Sequence, residues 1–199
     1  MLLAPPNPDI FRPNFEPPTR SIQLPRKIKK KSDEFVDILD KNRDRLAVLS
    51  RKEAKFQGLS HRLIMVTLGD SSGRVCIRKR GPKKRLYPSR LDLMASGHVR
   101  SGEAIHDAAR RHLSNESGIS PPRMDLVQTI FADERTDNQI ISFFSAGKIK
   151  QLPETNNPEF GSLMLLDPEE LGHLVLEMPE LLTPSLVFAW NEKLVFSFS

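Results

Sequence analysis

Apolar and polar positions alternate along this chain with two periods, and the change of period marks its elements. Phe35, Val36, Ile38 and Leu39 form a first apolar group, Lys41 to Asp44 a polar turn, and Leu46, Val48 and Leu49 a second group. This pattern predicts two strands joined by a turn. Ser50 follows, with Glu53 three residues on, which predicts a capping box and a short helix. Leu63 to Leu68 reads as a buried strand, residues 69–73 as a turn, and Val75 to Ile77 as the next strand. "LDLMASG" at 91–97 adds a further short strand. From about Glu103 to Ser117 the spacing turns helical: Ile105, Ala109 and Leu113 recur every four residues and predict a buried stripe. Gly118 suits the C-terminal cap, and Pro121-Pro122 prevents continuation. Strands are expected again at "MDLVQTIFAD" (124–133) and "QIISFFSAGKI" (139–149). The remainder reads as a strand, a helix opening at Asp167-Pro168, and a closing helix after Thr183-Pro184. The order predicts an α/β fold with a mixed sheet and helices on both faces.

Residues 1–32 have a different character. Pro5, Pro6, Pro8, Pro13, Pro17, Pro18 and Pro25 lack an amide donor and break helices, so an extended N-terminal arm is expected ahead of a domain at 33–199. Ile10, Phe11 and Phe15 are its candidate anchors, and "PRKIKKK" at 25–31 its basic run. Hydrophobic residues are 38% and charged residues 28% of the 199 positions, an ordinary balance for a globular protein. No apolar run approaches the roughly 20 residues of a membrane helix, and the start "MLLAPPNPDIF" does not read as a signal peptide. Cys76 is the only cysteine, so an internal disulfide and a cysteine metal cluster are excluded, and a cytoplasmic home is expected. The net charge of +5 points to anionic partners. With no helix-turn-helix, zinc-finger or stacking-platform pattern, specific nucleic-acid binding is not expected and a phosphorylated small molecule is the favoured partner.

Positions 112, 115 and 116 lie three and four residues apart and share one face of the predicted helix. Acidic groups on such a face suit Mg²⁺, a hard cation that takes oxygen ligands and bridges to substrate phosphates. The stretch "GHVRSGEAIHDAARRHLSNESGI" resembles the Nudix box: Gly97, Glu103, Arg111, Leu113, Glu116, Gly118 and Ile119 stand at that pattern's spacings. The resemblance extends outward. "DEFVDILDKNRDRLAVLSRKEAKFQGLSHR" and "EMPELLTPSLVFAW" are similar to the leader and closing segment of the Nudix branch related to isopentenyl-diphosphate isomerase.

This resemblance implies a Nudix-type α/β/α sandwich and cation-assisted attack of water on a diphosphate. It implies that Glu116 ligates the metal with the carbonyl of Gly97, and that Glu103 holds Arg111 to orient the site. Two positions depart from the pattern: where it has Glu, this chain has His112 and Asn115. Each carboxylate near a cation contributes up to ~4 kcal/mol at an effective dielectric near 20, and ~1–2 kcal/mol after desolvation. Losing two weakens Mg²⁺ or Mn²⁺ by roughly a few hundred-fold. His112 and Asn115 remain candidate ligands, the imidazole for a softer ion. Asp133, Glu134, Asp137, Glu159, Glu169 and Glu170 are candidate replacement acids.

His61 and His98 match two metal-binding histidines of the isomerases. Ser96 stands where those enzymes need a cysteine, so isomerase activity is not expected. "RKRGPKKRLYPSR" at 78–90 supplies candidate substrate-binding residues Arg80, Lys84 and Arg85, which can hold a polyphosphate. It is similar to the family's "QKRS…K…PG.WD" segment, with Asp92 at the acidic position. The leading expectation is a hydrolase of a nucleoside diphosphate derivative or related compound. The alternative is a binding module that keeps the fold and has lost turnover. A homodimer is common among such proteins.

Overall fold

In the computed structural model of the chain, residues 34–121, 123–152 and 161–198 are described. The proline-rich arm, its anchors, its basic run and Glu159 lie outside the described residues. Strands β1 (Phe35–Leu39) and β2 (Arg45–Ser50) pair antiparallel through the expected turn. Asp40 closes that turn by accepting from the Asp44 amide at 2.8 Å, while Arg43 adopts a left-handed φ of 74°. Helix α1 (Arg51–Phe56) follows directly. Ser50 Oγ caps it by accepting from the Glu53 amide at 3.2 Å. The Glu53 carboxylate accepts instead from Gln57 Nε2, so one half of the expected capping box forms. Val36, Ile38 and Ala54 make a small core between ribbon and helix.

The main sheet has seven strands: β3 (His61–Asp70), β4 (Val75–Lys79), β5 (Leu91–Asp92), β6 (Ala95–His98), β7 (Asp125–Ile130), β8 (Gln139–Ile149) and β9 (Leu163–Leu166). The stretch read as one strand at 91–97 is therefore two, because Leu91 and Asp92 pair with β4 while Ala95 to His98 pair with β3. β3 and β8 run parallel through the centre, and every other pairing is antiparallel. β3 and β4 meet at Gly69↔Val75 and then part. β6 fills the opening beside Leu63–Val66, which sets Gly97 opposite Ile64.

Three helices cover the sheet: α2 (Ile105–Ser117), α3 (Pro168–Glu177) and α4 (Pro184–Asn191). Successive strand residues face opposite sides. Ile64, Val66, Leu68 and Phe144 accordingly pack with Ala108, Ala109 and Leu113 of α2. Met65, Ile77, Leu93 and Phe143 pack with Leu171 of α3 and with Leu186 and Ala189 of α4. The result is the α/β/α sandwich with a mixed sheet that the sequence implied. Burying a side chain such as Leu113 or Phe143 contributes about 2–3 kcal/mol. Asp167 and Glu170 form a complete capping box on α3, and Thr183 Oγ1 caps α4. α2 begins two residues later than expected, after an extended Ala104, and ends on Gly118 at φ 71°. Glu103 stays outside the helix because its carboxylate accepts from the Arg100 amide at 2.9 Å and turns back toward Arg111. Among the described residues, no helix is long and apolar enough to cross a membrane.

Candidate functional site

The loop between β6 and α2 is clamped from below. Arg111 Nε donates to Glu103 Oε1 at 2.6 Å, and Arg111 Nη2 donates to Glu103 Oε2 at 2.7 Å and to the His98 carbonyl at 3.1 Å. Such a two-pronged contact sets both distance and orientation. Burial pushes the Glu103 carboxyl up, but the Arg111 guanidinium and the Arg100 amide outweigh it and hold the carboxyl below its usual range. Glu103 and Arg111 thus make the ion pair that the family resemblance implied.

At the next position, His112 Nε2 lies 3.0 Å from the same His98 carbonyl. An imidazole nitrogen facing a carbonyl must donate, so the neutral ring carries its proton on Nε2 and a lone pair on Nδ1. Burial keeps the ring neutral by lowering its pKa, against the partial support of the His98 carbonyl. The ring stands directly over Gly97, where any Cβ would collide with Cε1, Nε2 and Nδ1. His98 itself stacks on His61, with ring centroids 5.1 Å apart and His61 Nε2 3.2 Å from His98 Nδ1. His61 Nδ1 donates to the Leu59 carbonyl at 2.7 Å, so His61 Nε2 accepts from His98 Nδ1. Burial and the neighbouring His61 push the His98 pKa down to about 3.

Glu116 faces the sheet from α2, and its partner is Arg78 of β4. Glu116 Oε2 contacts Arg78 Nη1 as an ion pair, without a well-directed hydrogen bond. Its Oε1 lies 3.9 Å from His112 Nδ1. The Arg78 side chain is 4% exposed. Its Nε donates to the Leu93 carbonyl at 3.0 Å and its Nη2 to Asp92 Oδ2 at 3.2 Å. Asp92 is satisfied on every side: Thr183 Oγ1 and the Leu93 amide donate to Oδ1 at 2.7 and 3.0 Å, and Arg80 Nη1 donates to Oδ2 at 2.6 Å. Arg78 is therefore shared between two carboxylates. Burial, with Asp92 adding to it, raises Glu116 to about 7 in spite of Arg78.

The residues singled out by sequence divide as follows. Gly97, Glu103, Arg111, His112 and Glu116 gather around the β6–α2 junction. Asn115 is exposed. Arg80 is occupied with Asp92 and, through Nε, with the Leu86 carbonyl at 3.3 Å, so it closes the 80–90 loop. Lys84 lies close enough to Glu116 to act on it electrostatically. Arg85 lines a cavity of about 670 Å³ together with Arg51, Lys52, Glu53, Lys55, Phe56, Leu86 and His98. Of the proposed replacement acids, Asp133 caps a 3-10 turn and pairs with Arg135, and Glu170 completes the α3 cap. The sequence reading missed Arg78 and the basic face of α1. For Arg78 a signal existed: it falls where the "QKRS" pattern has Gln, directly after the apolar run Val75 to Ile77. Cys76 is buried, and its thiol is pushed up to about 12, which leaves it inert.

A family model described as the NUDIX domain matches residues 59–184. The chain belongs to the Nudix family. An uncharacterized Nudix hydrolase of Yersinia pestis is 32% identical over 141 residues, covering 69% of this chain and 75% of that protein. The uncharacterized Nudix hydrolase YfcD of Escherichia coli K12 is 29% identical over 143 residues, covering 70% and 77%. Among solved structures, a Deinococcus radiodurans protein superposes with a TM-score of 0.62 at 22% identity, covering 72% of this chain and 90% of that one. A MutT protein of Methanosarcina mazei superposes with a TM-score of 0.51 at 15% identity, covering 67% and 94%. These two likenesses establish the Nudix fold.

Nudix hydrolases generally use divalent cations. The donor set here does not fit a Mg²⁺ ion bound as the box pattern implies. Glu116 is the one carboxylate on the relevant face of α2, and it is engaged by Arg78. The His112 ring occupies the space over Gly97 and donates to a carbonyl. Among the described residues, no three His, Cys, Asp or Glu side chains converge as a metal group.

Proposed function

We propose that this Nudix-family chain binds a diphosphate-containing small molecule, a nucleoside diphosphate derivative or a related compound, and turns it over far more slowly than a protein with the full set of box carboxylates. The observation that carries this reading is the 670 Å³ cavity against His98, where Arg51, Lys52, Lys55 and Arg85 face one acid, Glu53. Four cations around one concavity attract a polyanion, and the focusing of field lines in a cleft adds to the pull. Exposed Phe56 and Leu86 supply apolar surface for the rest of the molecule. His98, kept neutral by burial, offers its ring rather than a fifth charge. Slow turnover follows from the donor set at the β6–α2 junction.

Thermal shift tests the binding: ADP, nucleoside diphosphate sugars and dinucleotides are added to the full chain and to an Arg51→Ala/Lys55→Ala/Arg85→Ala variant. Ligand that binds only the folded state raises its stability by RT ln(1 + [L]/Kd). The expected result is a shift in the parent chain and its loss in the variant; equal shifts in both would end the assignment of the cavity.

Hydrolysis is the second reading, and Glu116 favours it. A carboxyl that titrates at about 7 is matched to proton transfer at neutral pH. Phosphate released after phosphatase coupling, with Mg²⁺ or Mn²⁺ present, tests it against Glu116→Gln. Product formed equally by both proteins would remove Glu116 from the chemistry. The similarity of the leader and closing segments supports placement in the isomerase-like branch, while Ser96 argues against isomerisation. The single buried thiol is compatible with a reducing cytoplasm.

A further inference from the structure

We infer that Arg78 is a built-in cation, a guanidinium that takes the place of the divalent ion at the β6–α2 junction and leaves this chain's helix carboxylate closed to metal. The inference does not depend on what fills the basic cavity.

Arg78 is nearly without solvent, on a strand whose preceding residues, Val75, Cys76 and Ile77, are all buried. A charge in such a place persists only when its donors are matched. Here each guanidinium nitrogen has a partner: Nε the Leu93 carbonyl, Nη2 Asp92, and Nη1 Glu116. Together with Arg80, the cluster sets two guanidinium groups against two acids, and Lys84 adds a further positive charge near Glu116. A divalent ion approaching Glu116 would meet the Arg78 charge at once, and that repulsion is weakly screened in a buried site. The second oxygen of Glu116 faces His112, whose ring is held by the His98 carbonyl. Displacing Arg78 would leave Asp92 with Arg80 as its remaining ion-pair partner, as well as freeing Glu116. Arg78 and the His112 and Asn115 substitutions thus belong together: two family carboxylates are absent, and the third is neutralised from within.

Mn²⁺ alone is the probe, titrated into the full chain, with free Mn²⁺ read from its electron paramagnetic resonance signal. Five proteins are compared: the parent, Glu116→Gln, His112→Glu/Asn115→Glu, the triple variant that adds Arg78→Gln, and that triple variant with Glu116→Gln. The parent is expected to bind Mn²⁺ weakly and with an affinity unchanged by Glu116→Gln. Restoring the two carboxylates while Arg78 remains should gain about threefold or less, and removing Arg78 as well should gain a further tenfold or more. That gain should vanish when Glu116→Gln is added. The inference is overturned if the parent loses Mn²⁺ affinity on Glu116→Gln, or if the two restored carboxylates bind as tightly with Arg78 as without it. Should circular dichroism show that the proteins lacking Arg78 do not fold, the parent and Glu116→Gln decide: equal affinities support the inference, and a loss overturns it. No phosphorylated compound enters the experiment, so its outcome is separable from that of the binding test above.

Discussion

The imidazole of His112 fills the volume directly over Gly97, so the two positions on α2 and β6 are complementary in shape. A methyl group at 97 has nowhere to go unless the ring moves and gives up the His98 carbonyl. Gly97→Ala should therefore destabilise the chain by ~1–3 kcal/mol, the usual cost of overpacking. A double-mutant cycle with His112→Ala checks the cause, because the coupled pair should lose less than the sum of the singles. Additive losses in urea titrations would separate the two residues.

Arg78 compensates two buried carboxylates at once. Arg78→Ala should cost about 3–5 kcal/mol, the range for a buried ion pair broken on one side. Glu116→Gln should cost less, because the amide oxygen still faces Arg78 and Asp92 remains paired. Urea denaturation of the two variants ranks them, and the reverse order would mean that Glu116, not Arg78, holds the cluster.

The Glu116 carboxyl gives a pH signature. Its folded pKa of about 7 lies above the ordinary glutamate value, so between pH ~4.5 and ~7 the folded state holds a proton that the unfolded state has released. Stability is thereby lost as pH rises through that window. The difference in unfolding free energy between parent and Glu116→Gln should drift against the parent across it, by on the order of 3 kcal/mol at most. A difference that stays flat with pH would place Glu116 in the ordinary range.

The histidines act in the opposite direction. His61, His98 and His112 all have pKa values lowered by burial, so each is neutral when folded and protonates on unfolding below about 6.5. Their stability is fully present above that pH and is lost as pH falls toward the folded values, with His98 extending the loss to about pH 3. His98→Gln should flatten the acid limb of a stability-versus-pH curve; an unchanged limb would show that His98 is not held neutral.

The clamp under the β6–α2 loop makes a fifth contrast. Arg111→Ala removes both contacts to Glu103 and one to the His98 carbonyl, and should cost about 1.5–3 kcal/mol. Because His98 lines the basic cavity, the same variant should also reduce the thermal shift given by ADP. Destabilisation without any change in that shift would confine Arg111 to a structural part.

By itself the sequence determined the parts that depend on neighbours along the chain. Period 2 and period 3.6 marked the strands and helices, because a side chain's facing follows from its place in its own element. The family resemblance implied the pairing of Glu103 with Arg111, whereas the packing of His112 over Gly97 is seen only in the structure. Periodicity did not show the start of α2 at Ile105 or the division of 91–97 into two strands, because each was decided by contacts that periodicity does not carry: Arg100 and Arg111 for Glu103, and β3 and β4 for the two strands. Only the tertiary structure decided what Glu116 faces. Arg78, Arg80, Asp92 and Thr183 come from β4, the loop after it, β5 and the cap of α4, and meet because β4 parts from β3 and pairs with β5. The same holds for the basic cavity, where α1 and the 80–90 loop converge on His98. Periodicity states which side of an element is buried. Which charge it meets there is settled by strand order and register, and these arise only when distant segments pack.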